Sequence, residues 1–253
     1  MQARVIMAIV AVVVLAIGAG LWWWQSANPP PQPVAVKEQP VATETPKPVE
    51  DGETPATPDV QRQVLPPLDS SDDYVREQVS ALSPEMSEWL KQDDLVRRFA
   101  VVADNARLGD YPRKQLAFLA PEAKYPVIQN GDGWVADPEG YHRFDKFVDV
   151  AISVDPKRAV ALLRTLSPLL VTALKELGQL NPDPIATVRA GIDVALATPD
   201  LQGEVQLVQP KVYYQYADPR LEQLKPLQKQ LLRMGPQNVA RIKSYLAQVK
   251  GYL

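Results

Sequence analysis

The chain has 253 residues, 46% of them hydrophobic and 23% charged, which leaves room for one anchor, one linker and one domain of ordinary size. A net charge of −3 argues against nucleic acid as a partner, for which a basic face is expected. With no cysteine and a single histidine, His142, the chain excludes disulfides, lipid attachment at cysteine, a thiol nucleophile, thiolate zinc and multi-histidine clusters, so no cofactor and no metal are expected.

Residues 5–21 form an uninterrupted apolar run, with Arg4 before it and Trp22, Trp23 and Trp24 behind it. From Val5 to Trp24 the span is about 20 residues, enough for a helix rising about 1.5 Å per residue to cross a hydrocarbon core of about 30 Å. Its Val, Ile and Leu residues favour insertion by roughly 3–6 kcal/mol, with no internal charge opposing it. The lipid bilayer is therefore the first expected partner, and residues 1–25 are read as a transmembrane anchor. Arg4 and the amino terminus lie on the short side, which places them in the cytoplasm and everything after Gln25 outside. A cleaved signal peptide is the rival reading, supported by Gly18, Ala19 and Gly20. The length of the apolar run and the tryptophans, suited to a membrane interface, favour retention.

Residues 26–67 carry 11 of the 25 prolines and no aromatic side chain. Such a segment cannot bury enough apolar surface to offset its ordering entropy, and it reads as a linker biased toward polyproline II.

Residues 68–253 read as a soluble, mainly helical domain of about eight helices with a small β-hairpin or extended element. Asp137-Pro138, Asp155-Pro156 and Asp218-Pro219 each place a capping carboxylate before a proline at the first helical position, and Ser83-Pro84 is a fourth such start. Apolar residues recur at helical spacing at Leu95, Phe99, Val102 and Ala106, at Phe144, Phe147, Val148, Ala151 and Ile152, and at Val239, Ile242, Leu246 and Val249. The most apolar stretch, residues 157–177, carries Lys157, Arg158, Arg164, Lys175 and Glu176. It is read as the central helix of the core rather than a second span, kinked at Pro168 and capped by Gly178. Val127-Ile128-Gln129, Asn130-Gly131-Asp132-Gly133 and Trp134-Val135 spell a hairpin, and residues 205–216 alternate imperfectly around Pro210.

Catalytic inventory is thin. There is no Gly-x-Ser-x-Gly elbow and no phosphate-cradling glycine loop. His142, between Tyr141 and Arg143, reads as a partly exposed structural histidine. Asp104, Asp145 and Asp149 are the carboxylates that could serve an acid and base pair, although on helical surfaces such residues ordinarily pair with Lys or Arg. Asn130-Gly131-Asp132-Gly133 lacks the remaining ligands of a calcium loop and reads as a turn. Asp93 with Arg97, and Asp94 with Arg98, have i,i+4 spacing. Asp104 and Asn105 adjoin apolar Val101, Val102 and Leu108, so one of them is expected to turn inward and to need partners, for which Arg113, Arg143, Lys211 and Arg233 are available.

The succession Arg97-Arg98-Phe99, Asp104-Asn105, Pro112-Arg113, Tyr141-x-Arg143-Phe144-Asp145, Val208-Gln209-Pro210-Lys211, Asp218-Pro219 and Leu231-Leu232-Arg233-Met234-Gly235-Pro236-x-Asn238 resembles a bacterial domain-of-unknown-function family of single-pass membrane proteins, over about residues 65–250. The resemblance implies an inner-membrane protein with a periplasmic domain and supplies no activity, cofactor or catalytic residue. The residues expected to form a binding site or a polar network are Arg97, Asp104, Asn105, Arg113, Tyr141, Arg143, Lys211 and Arg233. The expected function is that of a scaffold or adaptor binding an envelope protein or cell-wall partner, with a carboxylate-dependent enzyme acting on an envelope polymer as the alternative.

Overall fold

The computed structural model describes residues 64–121, 125–131 and 133–253. The expected anchor and the linker through residue 63 lie outside them. Leu65, assigned to the linker by composition, packs against the main core together with Leu68.

Nine α-helices occur among the described residues, interrupted by short 3-10 turns and a small sheet. In chain order α1 (Asp72–Ser80), α2 (Leu95–Leu108) and α3 (Arg113–Leu116) precede strands β1 (Val127–Asn130) and β2 (Gly133–Ala136). Then come α4 (Asp145–Ala151), α5 (Pro156–Glu176), α6 (Pro184–Leu196), β3 (Gln206–Val208), β4 (Gln215–Tyr216), α7 (Pro219–Glu222), α8 (Pro226–Arg233) and α9 (Pro236–Tyr252). The count exceeds the expected eight because α3 and α7 are single turns, too short for apolar periodicity to reveal.

Helix starts follow the Asp-Pro pattern. Asp137, Asp155 and Asp218 accept backbone N–H groups of Glu139, Arg158 and Arg220. Asp183-Pro184, a pair passed over in the sequence, caps α6 in the same way through Ala186 N. Ser83 departs from the pattern: its hydroxyl bonds the Glu85 carboxylate and Ser153 instead of capping. The start of α2 is capped from a distance, since both Asp72 carboxylate oxygens accept from the N–H groups of Asp94 and Leu95 at 2.8 Å. Asp94 itself takes a left-handed φ of 58°. Gly178, at φ 91°, closes α5 with bonds from its own N–H to Lys175 O and from Gln179 N–H to Leu174 O.

α5 is central and runs unbroken through Pro168. Val160, Leu169, Leu170, Ala173 and Leu174 are buried, whereas Leu162, Leu163 and Leu166 are half-buried because they line an apolar pocket with Val75, Phe99 and Val249. No helix among the described residues is long and apolar enough to cross a membrane. α2 and α6 meet closely at Gly191, where a methyl group would sit 2.9 Å from Ala106 Cβ. Gly191→Val is therefore expected to destabilise the domain by about 1–3 kcal/mol, read from the urea midpoint.

The hairpin and the extended stretch, read separately in the sequence, join in one antiparallel sheet of order β1-β2-β3-β4. Its register sets Val127 opposite Ala136, Trp134 opposite Leu207 and Leu207 opposite Tyr216. Gly131, at φ 59°, turns the first hairpin, and Pro210 falls between β3 and β4, where it removes no ladder bond. The inner face of the sheet builds a second, smaller cluster from Ala136, Val205, Leu207 and Tyr216 with Leu232 of α8.

Candidate functional site

Tyr125, Tyr141 and Tyr216 gather on this second cluster, Tyr141 and Tyr216 beside the last turn of α8, while Tyr111 packs against the main core. Tyr216, fixed in β4, donates its hydroxyl to Lys229 O at 3.4 Å, one helical turn before Arg233. The Tyr141 ring lies against Gly235, two residues after Arg233, where φ is 84° and a Cβ would overlap the ring. Residues 109–113 dock on the beginning of α8: Leu227 N–H donates to Gly109 O at 3.1 Å, the Lys225 stem covers Gly109, and Arg113 N–H bonds Tyr111 O. Tyr125 completes the group. Its hydroxyl is hydrogen-bonded to that of Tyr141, and the Arg143 guanidinium stands over its ring, 5.1 Å from the centroid. Arg143 also lies 4.9 Å from the centroid of Phe144.

Burial is the main influence on the four phenols and on Arg143. It raises the phenol pKa of Tyr111, against the opposing charges of Arg113 and Arg233. It does the same at Tyr125 and Tyr216, again opposed by Arg233, and at Tyr141. All four phenols thus stay neutral near pH 7, and the Tyr216 hydroxyl proton is already given to Lys229 O. Burial depresses the Arg143 pKa, and repulsion from Arg233 adds to the effect. Arg233 is the electrostatic hub, close enough to act on Tyr111, Tyr125, Tyr216 and Arg143. Neither Arg113 nor Arg233 forms an ion pair with any described residue. Of the acids nearby, Glu222 is held by Lys229 at 2.7 Å and accepts from Tyr216 N–H, while Asp137 caps its helix.

Of the eight residues singled out from the sequence, Tyr141 and Arg143 meet at Tyr125, Arg233 lies near enough for its charge to act on the Tyr125 and Tyr216 phenols, and Arg113 adjoins Tyr111 on the main core. The others are placed elsewhere. Arg97 bridges Asp69 at 2.5 Å, Asp94 at 3.1 Å and Glu176 at 2.7 Å, which raises its pKa and ties the domain's first turn to α2 and α5. Asp104 turns partly inward, but its partners are Arg107 and Gln179 rather than the distant cations, and Asn105 donates to Val101 O one turn back. Lys211 is exposed in the turn between β3 and β4. The expected i,i+4 pairs give way as well: Arg97 takes Asp94 at i,i+3, and Arg98 donates to Asp93 O. Tyr111, Tyr125 and Tyr216 escaped the sequence reading because no periodicity or spacing connects them. The Gly-Pro-x-Asn run after Arg233 was the available signal, since it fixes the turn that receives Tyr141.

The supports of the cluster are polar and satisfied. Asn238, only 3% exposed, donates to Asp145 at 2.7 Å, to Met234 O at 3.2 Å and to Tyr141 O at 3.5 Å. His142 is exposed and bonds Asp145 at 2.7 Å, which raises the imidazole pKa and lowers that of the carboxylate. The sign follows from linkage. The histidine's contribution is full below its unfolded pKa of about 6.5 and disappears as pH rises through the higher folded value. That of Asp145 is present above its unfolded pKa and lost as pH falls through the lowered folded value. His142→Gln should therefore flatten the slope of urea midpoint against pH on the neutral side, and the single histidine resonance of the parent chain should titrate above about 6.5.

Asp104, Asp145 and Asp149 are each engaged, by Arg107, by His142 and Asn238, and by Arg241 respectively. No curated protein and no solved structure matches the chain. The family described as "Protein of unknown function (DUF3014)" matches residues 95–250, more than half of the chain and the whole of the tyrosine and arginine cluster, and the chain belongs to that family.

Proposed function

We propose that this chain is a single-pass protein of the bacterial envelope, anchored through residues 5–24 with its amino terminus in the cytoplasm, whose periplasmic helical domain captures an anionic component of the envelope as a scaffold or adaptor. The observation that carries this reading is that Arg113 and Arg233 stand without a carboxylate partner among the described residues, beside four phenols that stay neutral. Arg233 is half-buried, and without an anion it forgoes charge-assisted hydrogen bonds that a visiting carboxylate or phosphate would restore, while Arg113 is exposed. Arginine and tyrosine are also the residues most often found to dominate binding energy. The alternative, a carboxylate-dependent enzyme, draws no support from Asp104, Asp145 and Asp149, whose oxygens already serve Arg, His and Asn side chains.

A photo-crosslinking side chain at Lys114, exposed and next to Arg113, should trap the partner in cells. Arg113→Ala should abolish that trapping while shifting stability by less than about 0.5 kcal/mol, as expected of an exposed arginine. Undiminished trapping in the variant would remove the cluster from the account. A reporter active only outside the cytoplasm, fused after Leu253, should be active in material that stays with membranes after a salt wash. Release of a shortened chain would instead favour the cleaved signal peptide.

A further inference from the structure

The central helix α5 carries one apolar face that is covered in one half and open in the other. Toward its C-terminus Leu169, Leu170, Ala173 and Leu174 are buried, whereas Leu162, Leu163 and Leu166 stay half-buried along a slot. We infer that this slot takes a single unbranched acyl chain, its ester carbonyl toward Tyr245 and its methyl end toward the start of α2. The slot is built in the main core, so the site is separate from the phenols gathered on the sheet.

Shape is the first argument. On α5 the slot is lined from Ala159 to Leu170, a length of about 16 Å at about 1.5 Å per residue. Its empty volume, counted out to the mouth, is about 720 Å³, so its mean cross-section is about 45 Å², little more than half that of a helix about 10 Å across. A docked helix is too wide for it, and an extended chain fits. The floor lies deep: Val79, Val160, Leu170 and Val188 are each at most 2% exposed. A space walled in this way stays dry and admits apolar groups.

Polarity is the second argument. Among the described lining residues Tyr245 alone carries a polar side-chain atom, and its hydroxyl forms no hydrogen bond with a described residue. Printed bonds locate both ends of the slot. Arg241, one turn before Tyr245, pairs with Asp149 of α4, just ahead of α5, and Arg164 of α5 donates to Tyr252 O at 2.8 Å. Tyr245 therefore lies by the start of α5. The bond from Arg97 to Glu176 sets the start of α2, with Leu95, Val96 and Phe99 in the wall, at the other end. One hydroxyl at one end of an otherwise apolar slot matches a ligand with one acceptor and a hydrocarbon tail. Asp155 caps α5 at the Tyr245 end and puts a carboxylate there, so an uncharged ester is favoured over a free fatty acid.

The experiment is photolabelling of the full chain in phosphatidylcholine nanodiscs with methyl dodecanoate that carries a diazirine either beside the ester or at the far end, the labelled peptides being read by mass spectrometry. The probe reactive beside the ester should mark the peptides holding Ala159 and Tyr245, and the probe reactive at the far end those holding Leu95 to Phe99. Excess unlabelled methyl dodecanoate should lower both labels at least tenfold. Leu166→Trp, which fills the middle of the slot, should lower them as much, and Arg113→Ala should lower neither. Tyr245→Phe keeps the ring and should weaken competition by methyl dodecanoate about two- to tenfold, with competition by dodecane unchanged. Both probes marking the same peptides, or labels that excess ester does not lower, overturns the acyl-chain assignment, and this reading of the parent chain needs no variant to fold. A Leu166→Trp chain that keeps its urea midpoint and labels like the parent overturns it as well. Competition by dodecanoate equal to that by the ester overturns the ester head.

Discussion

Gly235→Ala is expected to be among the most damaging additions of a single methyl group anywhere in the domain. Gly235 has φ 84° and ψ 160°, a region open essentially to glycine alone, so a side chain there costs about 1–3 kcal/mol through the backbone. The new Cβ would also enter the Tyr141 ring, and displacing a packed aromatic costs a further amount of about 1–3 kcal/mol. Two other glycines isolate these contributions. Gly178 has φ 91° with open space around it, so Gly178→Ala should show the backbone contribution alone. Gly251 is helical and also open, so Gly251→Ala should stabilise by about 0.5–1 kcal/mol. Urea midpoints of the three variants decide the point. A loss at Gly235 no larger than that at Gly178 would mean that Tyr141 is not wedged on this turn. Because Tyr141 is displaced, Gly235→Ala should also weaken capture of the proposed envelope partner, which Gly178→Ala should leave unchanged.

The same turn shows what the amino-acid pattern could and could not disclose. Asp155-Pro156 and the apolar stretch of residues 157–177 mark α5 to within a residue of its observed bounds, because capping and periodicity are local properties. Val127 to Val135 discloses a hairpin for the same reason. The cap of α2 is a different matter: it comes from Asp72, twenty-two residues before Asp94, and no local rule announces it. Charge shows the contrast most plainly. Arg97 and Arg233 both lie in helical motifs rich in apolar residues, yet Arg97 is bound by acids from α5 and the first turn of the domain, whereas Arg233 forms no ion pair with a described residue. Which arginine is neutralised depends on contacts between segments far apart in the chain. A reading from the sequence alone therefore groups arginines that the fold distributes over separate places.

Trp89→Ala separates fold from site by the largest side chain in the main core. Trp89 is 2% exposed and stacks on Phe147 with ring centroids 5.3 Å apart and planes inclined by 8°, joining the turn at Pro84–Leu90 to α4. Truncation should cost about 3–5 kcal/mol, a large share of the roughly 5–15 kcal/mol that holds an ordinary domain together. Part of the loss belongs to the stacked pair itself, so a cycle with Phe147→Ala should return a coupling of about 0.5–1.5 kcal/mol, and a coupling near zero would show that the rings only share volume. Trp89 belongs to the main hydrophobic cluster, whereas Tyr125, Tyr141 and Tyr216 belong to the one built on the sheet. Well below its unfolding midpoint, the Trp89→Ala chain should therefore capture its envelope partner as tightly as the parent, because losing core packing lowers the population of the folded state without moving Tyr125, Tyr141 and Tyr216 on the sheet cluster. Gly235→Ala, of comparable cost to stability, should lose affinity even while folded. Equal affinity losses in the two variants would mean that the cluster responds to global loosening, and the assignment of binding to this set of residues would fall.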